Sequence, residues 1–583
     1  MRSFFKSFFA ALLALIVFTL LIFFFFVALI GGLASKEAPK VRDQSVLVLD
    51  LGQHFAELKK ENPFGIFSGK DDDVPGLYDV IRLIQQAKTD KRIAGLYMVA
   101  NTNTNGFAAS EEIRNALLEF KKSGKFIIAH ADVLTQRAYG IANIADKLYV
   151  NPQGYVEWAG YSVNYSFLKG TLDKLEIEPQ IFYAGKFKSA TEPLRMDKMS
   201  PANQLQTSVW LNDLYSDLLM KTAETRKMDT GTLHLLADEG VIQNAKNAFD
   251  HKLVDGLKYD DEVKTEIKSR LNIDKYEKID FIAISSYLAA SNLTGIGKEK
   301  IAIIYAEGDI IDGKSQQGAI GSETYRNLVR KARLDKSIKA IVFRVNSGGG
   351  SSLASENIWR ELSLAKQEKP VVVSFGDVAA SGGYYISCAA DSIFALPTTI
   401  TGSIGVFGII PNMQNFFKNK LGITFDGVKT GPYADASSIT KPMNENEKKM
   451  VQAEIDLIYT QFKQRVADGR KMDTAFVDSI AQGRVWTGMR AKEIGLIDRF
   501  GGIDDAVKCA ARMAKLADYQ LKEYPAPDNF LSQIFGKSEP MDYSNKIREE
   551  VGEDNFKIYM ELKRIKEMTG SAQARLPFQF FIH

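Results

Sequence analysis

Runs of consecutive apolar residues alternate with amphipathic stretches along most of the chain, and this alternation predicts strands and helices in turn. Apolar runs without polar alternation are typical of strands buried on both faces of a sheet. The sequence therefore predicts an α/β fold built of βαβ units around mostly parallel sheets. The predicted strands are 46–51, 93–99, 126–129, 147–150, 301–305, 338–345, 371–375 and 392–396, and the predicted helices are about 77–88, 108–121, 201–228, 322–333, 353–366 and 443–469.

The same pattern occurs twice in the chain, at an offset of 245 residues, so that for example residue 93 corresponds to residue 338. The register holds without a gap across residues 90–160, where for example Pro152 falls on Pro397. Chance similarity rarely keeps register over such a length, so we interpret the two regions as duplicated domains.

Four parts make up the predicted domain organisation. Beyond about residue 520 the pattern changes to a proline-containing segment, a charged helix near 543–568 and an aromatic tail at 578–581. We interpret this last part as a packing appendage. The parts are 1–44 (cytoplasmic tip, transmembrane anchor and linker), 45–285 (first repeat), 286–520 (second repeat) and 521–583 (appendage).

An uncharged and almost wholly apolar run of 23 residues, 8–30, lies near the amino terminus. A helix that crosses a bilayer needs about 20 such residues. Arg2 and Lys6 precede the run, and the positive-inside rule then keeps the amino terminus cytoplasmic and the body outside. A cleavable signal peptide is the alternative, but its apolar core usually has about 7–15 residues, so we favour an uncleaved anchor.

Composition excludes several classes of function. The net charge of the 583 residues is +3 and the basic residues are scattered, so nothing indicates a nucleic-acid surface. The two cysteines are too few for a zinc site, and none of the five histidines lies in an HExxH pair. We therefore predict no metal and no cofactor, and a Ser–His–Asp triad has few candidates.

Ser381 is the first candidate for chemistry. It lies between small residues, in Ala380-Ser381-Gly382-Gly383, after a predicted buried strand and before a helical stretch. Such a strand-to-helix turn presents the hydroxyl of many nucleophilic serines. The turn alone, however, is more simply interpreted as a tight structural loop, because glycine-rich turns are common.

The two repeats differ at this turn and at a glycine-rich loop. Ser381 aligns with Gln136, and the loop 346–350, Asn-Ser-Gly-Gly-Gly, aligns with 101–105, Asn-Thr-Asn-Thr-Asn. Glycines allow backbone N–H groups to approach a ligand closely, and such groups can stabilise a developing oxyanion. The second repeat therefore carries a candidate nucleophile and a candidate oxyanion loop that the first repeat lacks.

Lys188 shows the reverse asymmetry, because it falls on Ala434 after a one-residue shift. The first repeat thus carries a lysine without the serine, and the second the serine without the lysine. This complementarity suggests a serine–lysine dyad built across the two halves. Lysine can act as a base if burial lowers its pKa from about 10.4. Lys186 would share a strand face with Lys188, so the residues alone leave the choice of base open.

These motifs together resemble those of the signal peptide peptidase A family (protease IV), in its long membrane-anchored form. The resemblance covers the anchor and both repeats, to about residue 515. The motifs that carry it lie at 185–190 (Gly-Lys-Phe-Lys-Ser-Ala), 344–350 (Arg-Val-Asn-Ser-Gly-Gly-Gly), 377–384 (Asp-Val-Ala-Ala-Ser-Gly-Gly-Tyr) and 401–405 (Thr-Gly-Ser-Ile-Gly).

The resemblance implies tandem crotonase-like (Clp protease-like) domains and a cofactor-free serine peptidase with a Ser/Lys dyad. It implies Ser381 as nucleophile, Lys188 as general base, Ser403 as the residue that holds the lysine, and Gly349 and Gly382 as the oxyanion hole. It further implies signal-peptide remnants and other hydrophobic peptides as substrates, and a homotetramer. The expected location is the bacterial inner membrane, with a single helix in contact with lipid and the catalytic body on the periplasmic side.

Two other hypotheses compete with the peptidase. A glycine-lined oxyanion hole would also suit a crotonase-superfamily enzyme acting on an acyl-coenzyme A thioester, although an anchored body outside the cytoplasm argues against that substrate. The second hypothesis is an inactive membrane-anchored scaffold. It would not explain why one repeat carries the serine and the other the lysine.

Overall fold

The computed structural model of the chain describes residues 2–34, 39–59, 74–293, 295–316, 318–526, 552 and 571–576. The predicted charged helix at 543–568 and the aromatic tail at 578–581 lie outside these residues.

The first half alternates strands with helices. Its strands are β1 (Ser45–Asp50), β2 (Ile93–Val99), β3 (Phe126–Leu134), β4 (Lys147–Val156), β5 (Glu178–Ala184), β6 (Gly256–Leu257) and β7 (Phe281–Ala283). Its helices are Arg2–Ala34, Leu77–Thr89, Phe107–Lys121, Gln136–Ala142, Lys169–Leu175, Glu192–Arg195, Pro201–Arg226, Thr230–Asp238, Ala245–Asp250, Asp260–Leu271 and Ile284–Ala289, with a 3₁₀ turn at Ser189–Thr191.

The second half repeats this order and adds short strands. The strands are β8 (Lys300–Glu307), β9 (Asp309–Ile311), β10 (Ala319–Gly321), β11 (Ile338–Ser347), β12 (Gly349–Ser351), β13 (Val371–Ala380), β14 (Ser392–Ala395), β15 (Ile400–Gly402), β16 (Val406–Asn412), β17 (Val485–Thr487), β18 (Arg499–Phe500), β19 (Gln520–Tyr524) and β20 (Gln573–Arg575). The helices are Ser322–Leu334, Ser352–Lys366, Gly382–Ser387, Glu445–Arg470, Thr474–Ile480, Gly488–Glu493 and Ile503–Met513, with a π-helical turn at Phe416–Lys420.

Corresponding elements begin at the offset that the sequence predicts. Strands β2 and β11 begin at Ile93 and Ile338, and strands β3 and β13 begin at Phe126 and Val371. The long polar helices, 201–226 and 445–470, have 26 residues each. Strand β7 and the short helix Ile284–Ala289 lie between the two repeated patterns.

Each repeat is built around its own largely parallel sheet. In the first repeat all six strands are parallel, in the order β6-β4-β3-β2-β1-β7. In the second repeat the order is β17-β15-β13-β11-β8-β19, and only β17 runs antiparallel to its neighbour. Strand β14 also pairs with β13, and β18 pairs with β14. The strands are buried by helices on both faces, as their continuous apolar runs predict.

A third sheet joins the two repeats and carries the candidate site. Its order is β10-β9-β12-β20-β16-β5, so one strand comes from the first repeat and one from the carboxyl-terminal segment. Strand β5 pairs antiparallel with β16 over seven residue pairs, from Val406 opposite Ala184 to Asn412 opposite Glu178. This pairing brings the segment after Ala184 next to the segment before Val406.

A buried ion cluster holds the repeats together at the end of β11. Arg344 is fully buried and donates to two carboxylates of the first repeat, Glu57 at 2.8 Å and Glu112 at 2.6 Å. Its Nη1 donates to the hydroxyl of Ser374 at 2.8 Å and to the carbonyl of Phe375 at 2.9 Å. Burial raises the pKa of Glu112 to about 7, although the charge of Arg344 opposes that shift.

The amino-terminal helix Arg2–Ala34 is separate from both cores. Within it, the segment Phe4–Ile22 has a mean hydropathy of 2.4, and its most apolar part is not buried against the rest of the protein. Among the described residues it is the one helix long and apolar enough to cross a membrane.

We predict that Arg344→Met lowers the free energy of unfolding by about 3–5 kcal/mol, because it leaves two buried carboxylates without their cation. Urea unfolding of the detergent-solubilised chain measures this change. The control is Arg42→Met, whose partner Asp280 lies 3.0 Å away at an exposed position. We expect less than about 1 kcal/mol there, and equal losses in the two variants would contradict the role of the cluster.

Candidate functional site

Ser381 lies in the turn between β13 and the helix Gly382–Ser387, where its backbone is strained. Its φ is 54° and its ψ is −113°, a region that residues with a side chain rarely adopt. Its N–H donates to the carbonyl of Gly402 at 2.8 Å, and its carbonyl accepts the N–H of Tyr385 at 2.8 Å. Neighbours on both sides therefore fix the conformation, and a strained serine at this turn resembles a nucleophile elbow.

Lys188 reaches the site from the first repeat, four residues after the end of β5. Its loop is held by the second repeat, because the N–H of Phe187 donates to the carbonyl of Gln482 at 2.7 Å. Gly483 allows the close approach, since a Cβ atom there would lie 2.7 Å from the backbone of Lys188. The loop and the second repeat are thus in direct backbone contact.

The serine and the lysine meet within one chain. Lys188 Nζ donates to Ser381 Oγ at 2.9 Å, to Ser403 Oγ at 3.1 Å and to the carbonyl of Ser403 at 3.2 Å. The side chains of Ser381 and Ser403 are fully buried, and Lys188 is 1% exposed. The contact between Lys188 and Ser381 therefore requires no second subunit.

Burial lowers the pKa of Lys188 well below its ordinary value of 10.5. The reason is desolvation: a charged ammonium loses its hydration, and among the described residues no carboxylate forms an ion pair with it. The neutral amine is therefore favoured at this position, which is the protonation state that a general base needs.

Lys186, the other lysine that the sequence left open, lies outside the site. Its side chain is exposed, and its Nζ lies 5.8 Å from the centre of the Phe187 ring. The loop is not a regular strand here, so the two lysines do not share a face.

The glycine loop lies beside the serine turn. Gly349 has a φ of 98°, and a Cβ atom at this residue would lie 2.6 Å from the nitrogen of Gly382. Only glycine therefore fits next to the serine turn. The Gly349 N–H donates to Ser347 Oγ at 3.1 Å, and Ser347 Oγ donates in turn to the carbonyl of Gly308 at 2.6 Å.

In the first repeat, hydrogen bonds close the turn that corresponds to the turn at Ser381. Gln136 stands where the second repeat has Ser381, and its carboxamide oxygen accepts the N–H groups of Ala159 at 3.0 Å and Gly160 at 3.1 Å. Trp158 aligns with Ser403 at the offset of 245 residues. It is buried, and its Nε1 donates to a backbone carbonyl at 2.9 Å. The first repeat has kept the fold, with side chains that close this turn.

Gln206 supports the lysine loop and was missed by the sequence analysis. Its amide nitrogen donates to Ser189 Oγ at 2.9 Å and to the carbonyl of Phe187 at 3.2 Å, and its oxygen accepts the N–H of Val485 at 3.2 Å. It therefore links the loop to strand β17. A glutamine in a polar helix gives no local signal of such a contact.

Strand β20 was also missed, because its segment had been assigned to an appendage. Its residues 573–575 pair antiparallel with the glycine strand β12. Its other neighbour is β16, where Gln573 lies opposite Phe407. Three residues without a distinctive pattern cannot be recognised as a strand from periodicity.

Comparisons with known proteins found relatives in sequence and in structure. The sequence profile described as Peptidase family S49 matches residues 119–274 and 363–517, one segment in each repeat. Protease 4 of Salmonella typhi is 39% identical over 467 residues, which are 79% of this chain and 75% of that protein. The chloroplastic serine protease SPPA of Arabidopsis thaliana is 34% identical over 489 residues, which are 82% of this chain and 70% of that protein. A solved structure of a ClpP1 mutant from Listeria monocytogenes overlaps with a TM-score of 0.24 at 15% identity, covering 35% of this chain and 94% of that one.

Two tandem α/β repeats with these matches define a serine peptidase, a hydrolase of peptide bonds. The chain belongs to peptidase family S49, so the family relationship predicted from the motifs is confirmed. The predicted duplication of an α/β domain behind one apolar helix is confirmed as well.

We predict that Gly349→Ala abolishes peptidase activity, because the new methyl group would collide with the serine turn and the residue's φ is unfavourable for alanine. Gly348→Ala is the matched control one residue earlier, where the nearest atom to a Cβ lies 3.5 Å away. Activity and circular dichroism of both variants test this expectation. Equal activity of the two variants would contradict the close packing at Gly349.

Proposed function

We propose that the chain is a membrane-anchored serine endopeptidase in which Ser381 is the nucleophile and Lys188 the general base. The observation that supports it best is the 2.9 Å hydrogen bond from Lys188 Nζ to Ser381 Oγ at a fully buried position. That distance is within the reach that proton transfer requires, about 2.6–3.2 Å.

In the proposed mechanism, neutral Lys188 takes the proton of the Ser381 hydroxyl while the oxygen attacks the scissile carbonyl. Ser403 holds the amine in place through its hydroxyl and its carbonyl. The acyl-enzyme forms as the protonated lysine gives its proton to the leaving amine. Water, deprotonated by the same lysine, then attacks the ester, and the protonated lysine returns the proton to the Ser381 oxygen as the acid product leaves.

Backbone N–H groups of Gly349 and Gly382 are the proposed donors to the oxyanion. For Gly349 this role requires the N–H to exchange its contact with Ser347 Oγ for the substrate oxygen. Donors of this kind typically contribute about 10²–10³-fold each to the rate.

Signal-peptide remnants and other hydrophobic peptides are the proposed substrates. Relatives named as signal peptide peptidase and Protease 4 support this class, as does the apolar lining of the site. The helix Arg2–Ala34 is the proposed single membrane anchor, in contact with lipid in a bacterial inner membrane, with the body on the periplasmic side. A homotetramer also belongs to the proposal and follows from the family resemblance.

We predict that Lys188→Met lowers kcat by about 10²–10⁴-fold, because the variant has no base to activate the serine. Ser381→Ala should lower it at least as far, since no acyl-enzyme can form. Hydrolysis of a fluorogenic apolar peptide by the detergent-solubilised chain measures both. Lys186→Met is the matched control, because it removes an exposed lysine from the same loop and should keep near-normal activity. Full activity of Lys188→Met, or loss in Lys186→Met alone, would exclude the proposed base.

The pH dependence of kcat/KM provides an independent test. The base must be neutral, so activity rises with pH through the pKa of Lys188. Burial lowers that pKa well below 10.5, so we expect the acid limb of the profile well below pH 10.5. A peptide without ionisable side chains avoids titration of the substrate. An acid limb near pH 10.5 would show an ordinary lysine and would contradict the proposal.

A further inference from the structure

A cleft in the first repeat is separate from the proposed catalytic residues. Side chains of the helices Phe107–Lys121, Gln136–Ala142 and Pro201–Arg226 line it, and Thr398 of the second repeat also contributes. Its empty space is about 430 Å³, part of which is open to solvent. Neither the serine nor the lysine of the proposed dyad belongs to its lining.

Arg114 lines this cleft with a guanidinium that lacks a hydrogen-bond partner in the described part of the chain. The residue is 4% exposed, and neither its Nε nor its Nη2 donates to another described residue. Burial lowers its pKa against the charges of Glu224, Asp217 and Glu111, none of which forms an ion pair with it. Because an unpaired buried charge is costly, such an arginine points to a ligand.

The two unpaired nitrogens indicate the chemistry of that ligand. Nε and Nη2 lie on the same edge of the guanidinium plane, and their N–H groups point in parallel. Two parallel donors of this kind match the two oxygens of a carboxylate. Arg114 therefore offers a bidentate site for a carboxylate.

The other charged side chains of the lining do not cancel this preference. Lys221 Nζ lies 2.6 Å from Asp217 and 3.2 Å from Glu111, and Glu111 also accepts the hydroxyl of Thr398 at 2.8 Å. Arg137 is a second guanidinium in the lining. The acidic side chains thus share a lysine, and the two arginines leave the lining with an excess of positive charge.

In the second repeat, large side chains occupy the equivalent positions. Arg114 and Gly140 correspond to Trp359 and Tyr385 at the offset of 245 residues. The Tyr385 hydroxyl donates to Glu356 at 2.6 Å, so the tyrosine makes its contact within the protein. In the first repeat a glycine replaces the tyrosine and an arginine replaces the tryptophan. The same place is therefore open there and carries an unpaired donor.

Apolar side chains form much of the remaining lining. Ile141, Leu214 and Leu218 lie beside the charged groups, together with the rings of Phe107 and Tyr161. An apolar wall with a few placed polar groups is typical of sites for small organic molecules. The cleft thus fits a ligand that has a carboxylate at one end and an apolar body.

We propose that this cleft binds a small organic monocarboxylate, whose carboxylate pairs with Nε and Nη2 of Arg114 and whose apolar body lies against Ile141 and Leu218. The carboxyl-terminal residue of an apolar peptide and a short fatty acid share this chemistry. The inference goes beyond the proposed function, because binding here requires neither Ser381 nor Lys188.

Calorimetric titration of the detergent-solubilised full chain carrying Ser381→Ala tests the proposal, with N-acetyl-leucine as the probe. We expect the probe to bind at least about tenfold more tightly than its neutral amide, because only the acid can pair with the guanidinium. Arg114→Met should abolish this preference. Arg360→Met, at an exposed arginine on the corresponding helix of the second repeat, is the matched control and should keep it. Equal binding of acid and amide, or an unchanged preference in Arg114→Met, would overturn the proposal.

Isocaproate, which has the same apolar body without the amide, distinguishes the two sources of the carboxylate. Tighter binding of isocaproate assigns the cleft to a fatty acid, and tighter binding of N-acetyl-leucine assigns it to a peptide carboxyl terminus. Both results support the carboxylate site, whereas binding of neither acid would overturn it.

Gly140→Tyr tests the cleft without removing the arginine. It introduces the side chain of the second repeat at a residue where the nearest atom to a Cβ, from Leu218, lies 3.5 Å away. We expect the affinity for N-acetyl-leucine to fall about tenfold, because the ring would fill the cleft. Gly140→Ala is the matched control and should keep the affinity. Unchanged affinity in Gly140→Tyr would place the probe elsewhere and overturn the proposal.

Urea unfolding without the probe separates a binding role of Arg114 from a structural one. Arg114→Met should have an equal or higher unfolding midpoint, because the buried guanidinium has no hydrogen bond to lose. A clearly lower midpoint would show that the arginine serves the fold and would overturn the proposal.

Discussion

The site depends on the burial of one amine beside one hydroxyl. A charged ammonium at the position of Lys188 would lose its hydration, and no carboxylate of the described part of the chain pairs with it. Burying the charged form is therefore far more costly than burying a neutral amine. The same burial therefore favours the neutral amine within hydrogen-bond reach of Ser381, which is the state that the proposed base requires. The pairing of β5 with β16 brings the lysine loop to this position, so the proposed dyad depends on the contact between the repeats.

Duplication explains how such a contact can arise. Two copies of one domain offer two equivalent turns, and only one of them carries the serine. In the first repeat, Gln136 and Trp158 make the contacts that close the turn. The first repeat therefore has no serine at this turn, and it supplies the loop that carries the lysine instead. The cluster around Arg344 joins the two copies through buried hydrogen bonds to Glu57 and Glu112.

Local patterns predicted the elements within each repeat, because strand and helix periodicity is a property of neighbouring residues. Comparing the repeats predicted the serine and the lysine, because each was missing from the other copy. Contacts between distant segments could not be predicted in this way. The pairing of β5 with β16, the support from Gln206 and the close approach at Gly483 depend on residues about 200–300 positions apart, and no local signal marks them.

The third sheet also shapes the space beside Ser381. Its glycine strand β12 offers backbone groups at an edge, and β16 forms the opposite wall, so the space between them fits one extended chain. Strand β20 is the extended segment that fills this space, and Leu576 at its end lies among apolar side chains of both repeats.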